Sequence, residues 1–188
     1  NSNDILFPLQ YGFRQNRSCE LQLLGLVSDL HNNLDQGRQT DVLVMDFSKA
    51  FDKVGHKRLL QKLEFCGVKG RNLRWISNFL LHRSQQVVID GHRSSSVEVE
   101  SGVPQGSVLG PCLFLYYIND LPDKLSSTVR LFADDAITYL TIEKHQHAQQ
   151  LQDDLNKIGE WTSMMMELNS RKCQVITVSR KRNKVQHQ

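Results

Sequence analysis

Apolar positions recur along this chain with two different periods. Leu23, Val27, Leu30 and Leu34 fall at helical spacing and predict a helix from near Ser18 to Asp35, with Gly37 as its terminator. The run Asp41-Val42-Leu43-Val44-Met45-Asp46 then reads as a strand that ends in an acid. Leu59, Leu60 and Leu63 predict a short helix closed by Gly67. Trp75, Ile76, Phe79 and Leu80 predict another over about Arg71 to His82. Gln85 to Asp90 and Val97 to Glu100 read as two strands, with Asp90-Gly91 as a turn between them.

From Pro111 to Asp120 the apolar residues lie almost all round, which implies a buried helix with Pro111 at its first position. Val129 and Leu131-Phe132 precede Asp134-Asp135, and Ala136-Ile137 follow, so this stretch reads as a hairpin with acid at its tip. Leu151, Leu155 and Ile158 give a last long helix one apolar stripe, Met164-Met165-Met166 reads as core filler, and Val175 to Val178 reads as a closing strand. The alternation predicts an α+β fold, an antiparallel sheet backed by helices on one face.

Composition narrows this picture modestly. With 39% hydrophobic and 23% charged residues, the 188-residue chain is ordinary for one globular domain. No apolar run approaches the ~20 residues that span a bilayer, and there is no signal-peptide pattern, so an intracellular protein without a membrane partner is expected. Cys19, Cys66, Cys112 and Cys173 are widely spaced, which fits free thiols in a reducing compartment. His145 and His147 are two apart, pointing in different directions on a helix, so no zinc pair is expected and the histidines read as surface residues. A net charge of +3 is too weak to announce nucleic acid. From Arg171 onward, however, Arg171, Lys172, Arg180, Lys181, Arg182 and Lys184 meet no acidic residue, as suits phosphate contacts, a nuclear-import signal or a solvated chain end.

The candidate chemistry lies in the acids. If the strand ending at Asp46 and the Asp134-Asp135 hairpin share one sheet, three carboxylates meet. At ~4 Å and an effective dielectric of ~20, two like charges repel by ~4 kcal/mol, so the cluster either takes up protons or binds a cation. Hard carboxylate oxygens select Mg2+ or Mn2+. Between the two acidic elements, Ser101-Gly102-Val103-Pro104-Gln105-Gly106-Ser107 is a turn-rich segment whose glycines let a ligand approach the backbone.

Taken in order, the blocks Met45-Asp46-Phe47-Ser48-Lys49-Ala50-Phe51-Asp52, Gly102-Val103-Pro104-Gln105-Gly106-Ser107 and Phe132-Ala133-Asp134-Asp135 resemble the palm of a reverse transcriptase, specifically that of non-LTR, LINE-type retrotransposons. Gln10-Tyr11-Gly12-Phe13-Arg14 and Asn169 with Lys172 extend the resemblance over most of the chain. It implies a ferredoxin-like palm over about 41–180, part of the fingers over about 1–40 and a basic tail at 180–188. It also implies RNA-directed DNA polymerase activity, extending a DNA primer on an RNA template with deoxynucleoside triphosphates. Asp46, Asp134 and Asp135 would hold two Mg2+ ions, with the Phe47 carbonyl completing a metal shell. Phe51 would lie under the incoming sugar, Gln105 and Gly106 against nucleotide or template, and Arg14 near a phosphate. Lys172 resembles a residue that protonates the leaving pyrophosphate.

Complete fingers and a thumb find little room in the chain, which reads as a fragment expected to be inactive alone. Among intracellular locations the resemblance favours the nucleus over the cytoplasm. Two other readings share these features: an inert palm remnant that at most binds nucleic acid, and a palm-type nucleotidyl cyclase, which has no use for the Pro-Gln-Gly loop.

Overall fold

The computed structural model describes residues 5–185. The backbone divides into two compact units, Asn1–Ser48 with Ile118–Gln188, and Lys49–Tyr117.

The first unit is built on a four-stranded antiparallel sheet. Its strands are β1 (Gln39–Met45), β6 (Thr128–Phe132), β7 (Asp135–Ile142) and β8 (Gln174–Val178), in the order β6-β7-β1-β8. Counted among these four alone, the order is 2-3-1-4, that of a split βαβ ferredoxin-like sheet. Helix α1 (Cys19–Asp35) is capped by the Ser18 hydroxyl, which accepts from Leu21 N–H at 3.2 Å, and it ends before Gly37 at φ +65°. Helix α5 (His145–Met165) runs between β7 and β8.

The helices do not share one face of the sheet. Leu26 of α1 packs with Val42 and Tyr139, whereas Ala148 and Leu151 of α5 pack with Leu43 and Ile142. Val42 and Leu43 are successive strand residues and point to opposite sides, so the expected one-sided backing becomes a helix on each side. The apolar spacing of α1 does not coincide with its buried face. Leu30 packs inward, but Leu23 and Val27 are exposed, while Gln22 and Leu26 are buried. Beneath the helix lies a polar cluster that apolar periodicity does not register. Arg130 donates from Nη2 to Asp29 at 2.8 Å and from Nε to the Tyr139 hydroxyl at 2.8 Å, and that hydroxyl donates to Asp29. Burial and the bond to Asp29 push the Tyr139 pKa up to about 12.

A second buried polar device fixes the start of β6. Asp154 of α5 is fully buried. Its Oδ2 accepts from Ser126 N (3.0 Å), Ser126 Oγ (2.9 Å), Ser127 N (2.8 Å) and Ser127 Oγ (2.6 Å). Met166 is the buried member of the methionine triplet, and Met164 is exposed.

The second unit carries helices α2 (His56–Phe65) and α3 (Gly70–Leu80), and most of α4 (Leu109–Ile118). Pro111 is the third residue of α4 rather than the first, still within the turn whose N–H groups lack helical partners. Four two-residue strands form two ribbons: β2 (Ser84–Gln85) pairs β5 (Val97–Glu98), and β3 (Val88–Ile89) pairs β4 (His92–Arg93) across the expected Asp90-Gly91 turn. Both turn residues have positive φ, as a two-residue hairpin of this kind demands. His56 departs from the surface expectation: it is buried, and its Nε2 lies 2.8 Å from the Gly102 carbonyl oxygen. Cys19, Cys66, Cys112 and Cys173 are free thiols.

Candidate active site

Asp46 follows the last residue of β1. Its main chain is held on the far side, where the Asp46 carbonyl accepts from Asn169 N–H at 2.8 Å and Ser48 N–H donates to the Glu167 carbonyl at 2.8 Å. These bonds form an antiparallel bridge between Phe47 and Leu168, and neither uses the Phe47 carbonyl. The Phe47 ring is buried against Trp161, with centroids 6.1 Å apart.

The acidic hairpin sits beside it. Phe132 pairs with Asp135, which leaves Ala133-Asp134 as a two-residue loop, and Ala133 has φ +54°. That region is disfavoured for any residue with a Cβ, at a cost of roughly 1–2 kcal/mol. Met45 pairs with Ala136, so one more step of the same register sets Asp46 opposite Asp135. Adjacent strands thus bring together Asp46, Asp134 and Asp135, the three acids singled out in the sequence.

Burial, then Asp134, then Asp46 push the Asp135 carboxyl above its ordinary value, with Lys172 pulling the other way. Lys172 Nζ lies 3.5 Å from Asp46 Oδ1. One ammonium facing three carboxylates leaves a surplus of negative charge on hard oxygen donors, and in donor type and charge these residues fit a divalent cation. Among the described residues no three His, Cys, Asp or Glu side chains stand in ion-holding geometry, so holding one requires the carboxylates to turn toward it.

The remaining candidates are dispersed. Arg14 Nη1 donates to the Phe7 carbonyl at 3.0 Å. Phe51, Gln105 and Gly106 belong to the second unit. There Phe51 stacks on Phe114 at 4.4 Å, and its carbonyl accepts from Val103 N–H at 2.8 Å. Gln105 Nε2 donates to Asp52 Oδ1 at 2.7 Å. The glycine expected to admit a ligand admits the chain itself, for a Cβ on Gly102 would stand 2.8 Å from the Asp52 carbonyl oxygen. Gly106, at φ +80°, has open space around it. Asp52 and Gln105 line an open cleft of about 560 Å³, with Lys49, Arg83 and Glu98 on its walls.

One contact at the site has no counterpart in the sequence reading. Gln10 is buried, and its Oε1 accepts from Gly12 N–H at 2.8 Å and from Ala133 N–H, in the hairpin loop, at 2.9 Å. Only its place at the head of the Gly-Phe-Arg block could have drawn attention to it.

A ferredoxin-like sheet with carboxylates at the end of its first strand and the tip of its central hairpin has the architecture of a polymerase palm. The chain belongs to the reverse transcriptase (RNA-dependent DNA polymerase) family, whose model matches residues 2–186. Its relatives are polymerases of non-LTR retrotransposons. It is 31% identical over 179 residues to the RNA-directed DNA polymerase from mobile element jockey of Drosophila funebris, covering 89% of this chain and 19% of that protein. It is also 31% identical over 158 residues to the probable RNA-directed DNA polymerase from transposon X-element of Drosophila melanogaster, covering 81% of this chain and 17% of that protein. The chain thus spans about a fifth of the length of these relatives. Among solved structures, apo telomerase from Candida tropicalis superposes with a TM-score of 0.66 at 12% identity, over 88% of this chain and 36% of that one, which supports the polymerase-palm fold. The family's chemistry uses divalent metal ions. No helix among the described residues is long and apolar enough to cross a membrane.

Proposed function

We propose that this chain is the catalytic palm, with part of the fingers over about residues 1–40, of an RNA-directed DNA polymerase that extends a DNA primer on an RNA template. The observation that carries the reading is the meeting of Asp46 with Asp134 and Asp135 on adjacent strands, where Asp135 is held above its ordinary pKa by burial and by its two neighbours. Asp46, Asp134 and Asp135 would hold two Mg2+ or Mn2+ ions, with the Phe47 carbonyl as a further ligand. Bound there, the ions would supply activation of the primer 3′-hydroxyl and a grip on the triphosphate.

The chain's own side chains have separate tasks in this reading. Lys172, 3.5 Å from Asp46, carries the proton for the leaving pyrophosphate. Phe51 is a rigid ring that bars a ribose 2′-hydroxyl. Gln105 offers its amide to template or nucleotide once it releases Asp52, Gly106 lets that partner approach the main chain, and Arg14 serves a phosphate.

Thermal melting with and without Mn2+ tests the proposal. Metal at ten times its dissociation constant stabilises a fold by about 1.4 kcal/mol, or roughly 3–6 °C for a chain of this size. Wild-type chain is expected to shift by that amount, and Asp134→Asn by less than half of it. An unmoved wild-type melt at millimolar Mn2+ refutes the site.

A further inference from the structure

The tip that presents Asp134 and Asp135 is held from outside its own hairpin. Leu9 to Tyr11 runs alongside β6: Tyr11 N–H donates to the Leu131 carbonyl at 2.8 Å, and Leu131 N–H donates to the Leu9 carbonyl at 3.0 Å. Gln10 and Leu131 form a parallel bridge, which sends the Gln10 side chain on toward the loop. Its amide then binds both polar groups of Ala133. Oε1 accepts the Ala133 N–H at 2.9 Å, and Nε2 donates weakly to the Ala133 carbonyl at 3.4 Å. Oε1 also accepts Gly12 N–H at 2.8 Å, so one oxygen ties the N-terminal block to the tip. Gln10 and Ala133 are both buried, at 2% and 5% exposure, and water does not compete for these bonds. The approach is closed to any larger residue at position 12, since a Cβ there would lie 2.2 Å from Ala133 N.

We propose that Gln10 is a positioning residue for the acidic tip: its amide fixes Ala133 in the left-handed conformation that aims Asp134 and Asp135 at their cation. Ala133 is the residue with the unfavourable φ, it directly precedes the two acids, and Gln10 satisfies its N–H and its C=O together. Through these bonds Gln10 touches none of the three carboxylates; it acts through Ala133. The inference rests on the proposed metal-holding role of Asp134 and Asp135, and its test separates the two.

The test compares wild type, Gln10→Met and Gln10→Glu by amide hydrogen exchange and by the Mn2+ shift in melting temperature. In Gln10→Met, which keeps the bulk and loses the acceptor, the Ala133 amide should exchange about thirtyfold faster or more, while amides in the middle of the β1–β7 ladder stay within about threefold of wild type. The Mn2+ shift should fall by at least half. Gln10→Glu keeps an acceptor oxygen and should return Ala133 exchange to within about threefold of wild type. If Gln10→Met does not fold, Gln10→Asn, with the same amide one methylene shorter, takes its place. Unchanged Ala133 exchange, a loss of protection spread evenly over the sheet, or a full Mn2+ shift in the variant overturns the positioning role. A wild type with no Mn2+ shift overturns the metal reading itself, and this inference with it.

Discussion

Replacing Asp154 with alanine should be among the costliest single changes in the first unit. The carboxylate is fully buried, and a single oxygen accepts two main-chain N–H groups and two hydroxyls at 2.6–3.0 Å. The hydroxyls can turn elsewhere; that of Ser127 already lies 2.9 Å from the Thr138 hydroxyl. The Ser126 and Ser127 N–H groups cannot turn. Two stranded donors at roughly 1–2 kcal/mol each, with the lost charge assistance, predict a loss of about 3–4 kcal/mol. Asp154→Asn keeps an acceptor oxygen and should lose about half as much.

The linkage to pH has a definite sign. Burial pushes the Asp154 carboxyl up, but the Ser127 hydroxyl, Lys157 and the Ser127 and Ser126 bonds outweigh it and leave the pKa lowered. A lowered acid contributes stability above its ordinary pKa and loses it as pH falls through the folded value. Wild type should therefore lose stability in that acid range more steeply than Asp154→Asn. Urea unfolding monitored by circular dichroism at neutral pH and through the acid range measures both quantities. A cost below about 1 kcal/mol for the alanine variant, or equal costs for alanine and asparagine, would refute the reasoning.

Asp135→Asn should act in the opposite direction. Burial and the neighbouring acids raise the Asp135 pKa, so its ionisation opposes folding as pH rises above the ordinary carboxylate value; the metal-free variant should melt higher by a few tenths of a kcal/mol after solvent screening, yet lose its response to Mn2+. Phe51→Val, placed in a polymerase of the relatives' full length, should raise ribonucleotide relative to deoxynucleotide incorporation by about tenfold or more, at ~1.4 kcal/mol per factor of ten, read as the ratio of kcat/KM for the two sugars. A fixed ratio with falling activity would make Phe51, stacked on Phe114, a packing residue only.

What the sequence made legible was mostly what has a period or a motif. The helix from Ser18 to Asp35, the strand ending at Asp46 and the acid-tipped hairpin were readable because apolar spacing and turn residues mark them. The buried face of α1 was not, because it meets Arg130 and Tyr139, so that Asp29 of the helix pairs with them and Gln22 lies buried beside Leu26. Asp154 and His56 were missed for a related reason: each is buried by virtue of partners distant in sequence, and no local pattern announces a satisfied polar core. Gln10 belongs with them, since its partner Ala133 lies 123 residues further along the chain. The three acids were found because chemistry, rather than period, made their grouping conspicuous.

The two margins of the main sheet are unlike. Beside β6 the Leu9–Tyr11 segment already occupies Leu131, whereas among the described residues no strand flanks β8 on the side away from β1, and Val175 and Ile176 stand exposed there. A strand with a vacant row of amides and carbonyls invites another. On the β6 margin the bridge to Gln10 takes up the N–H and C=O of Leu131, so β8 is the longer open edge, and two copies paired β8 to β8 about a twofold axis would use that edge on both.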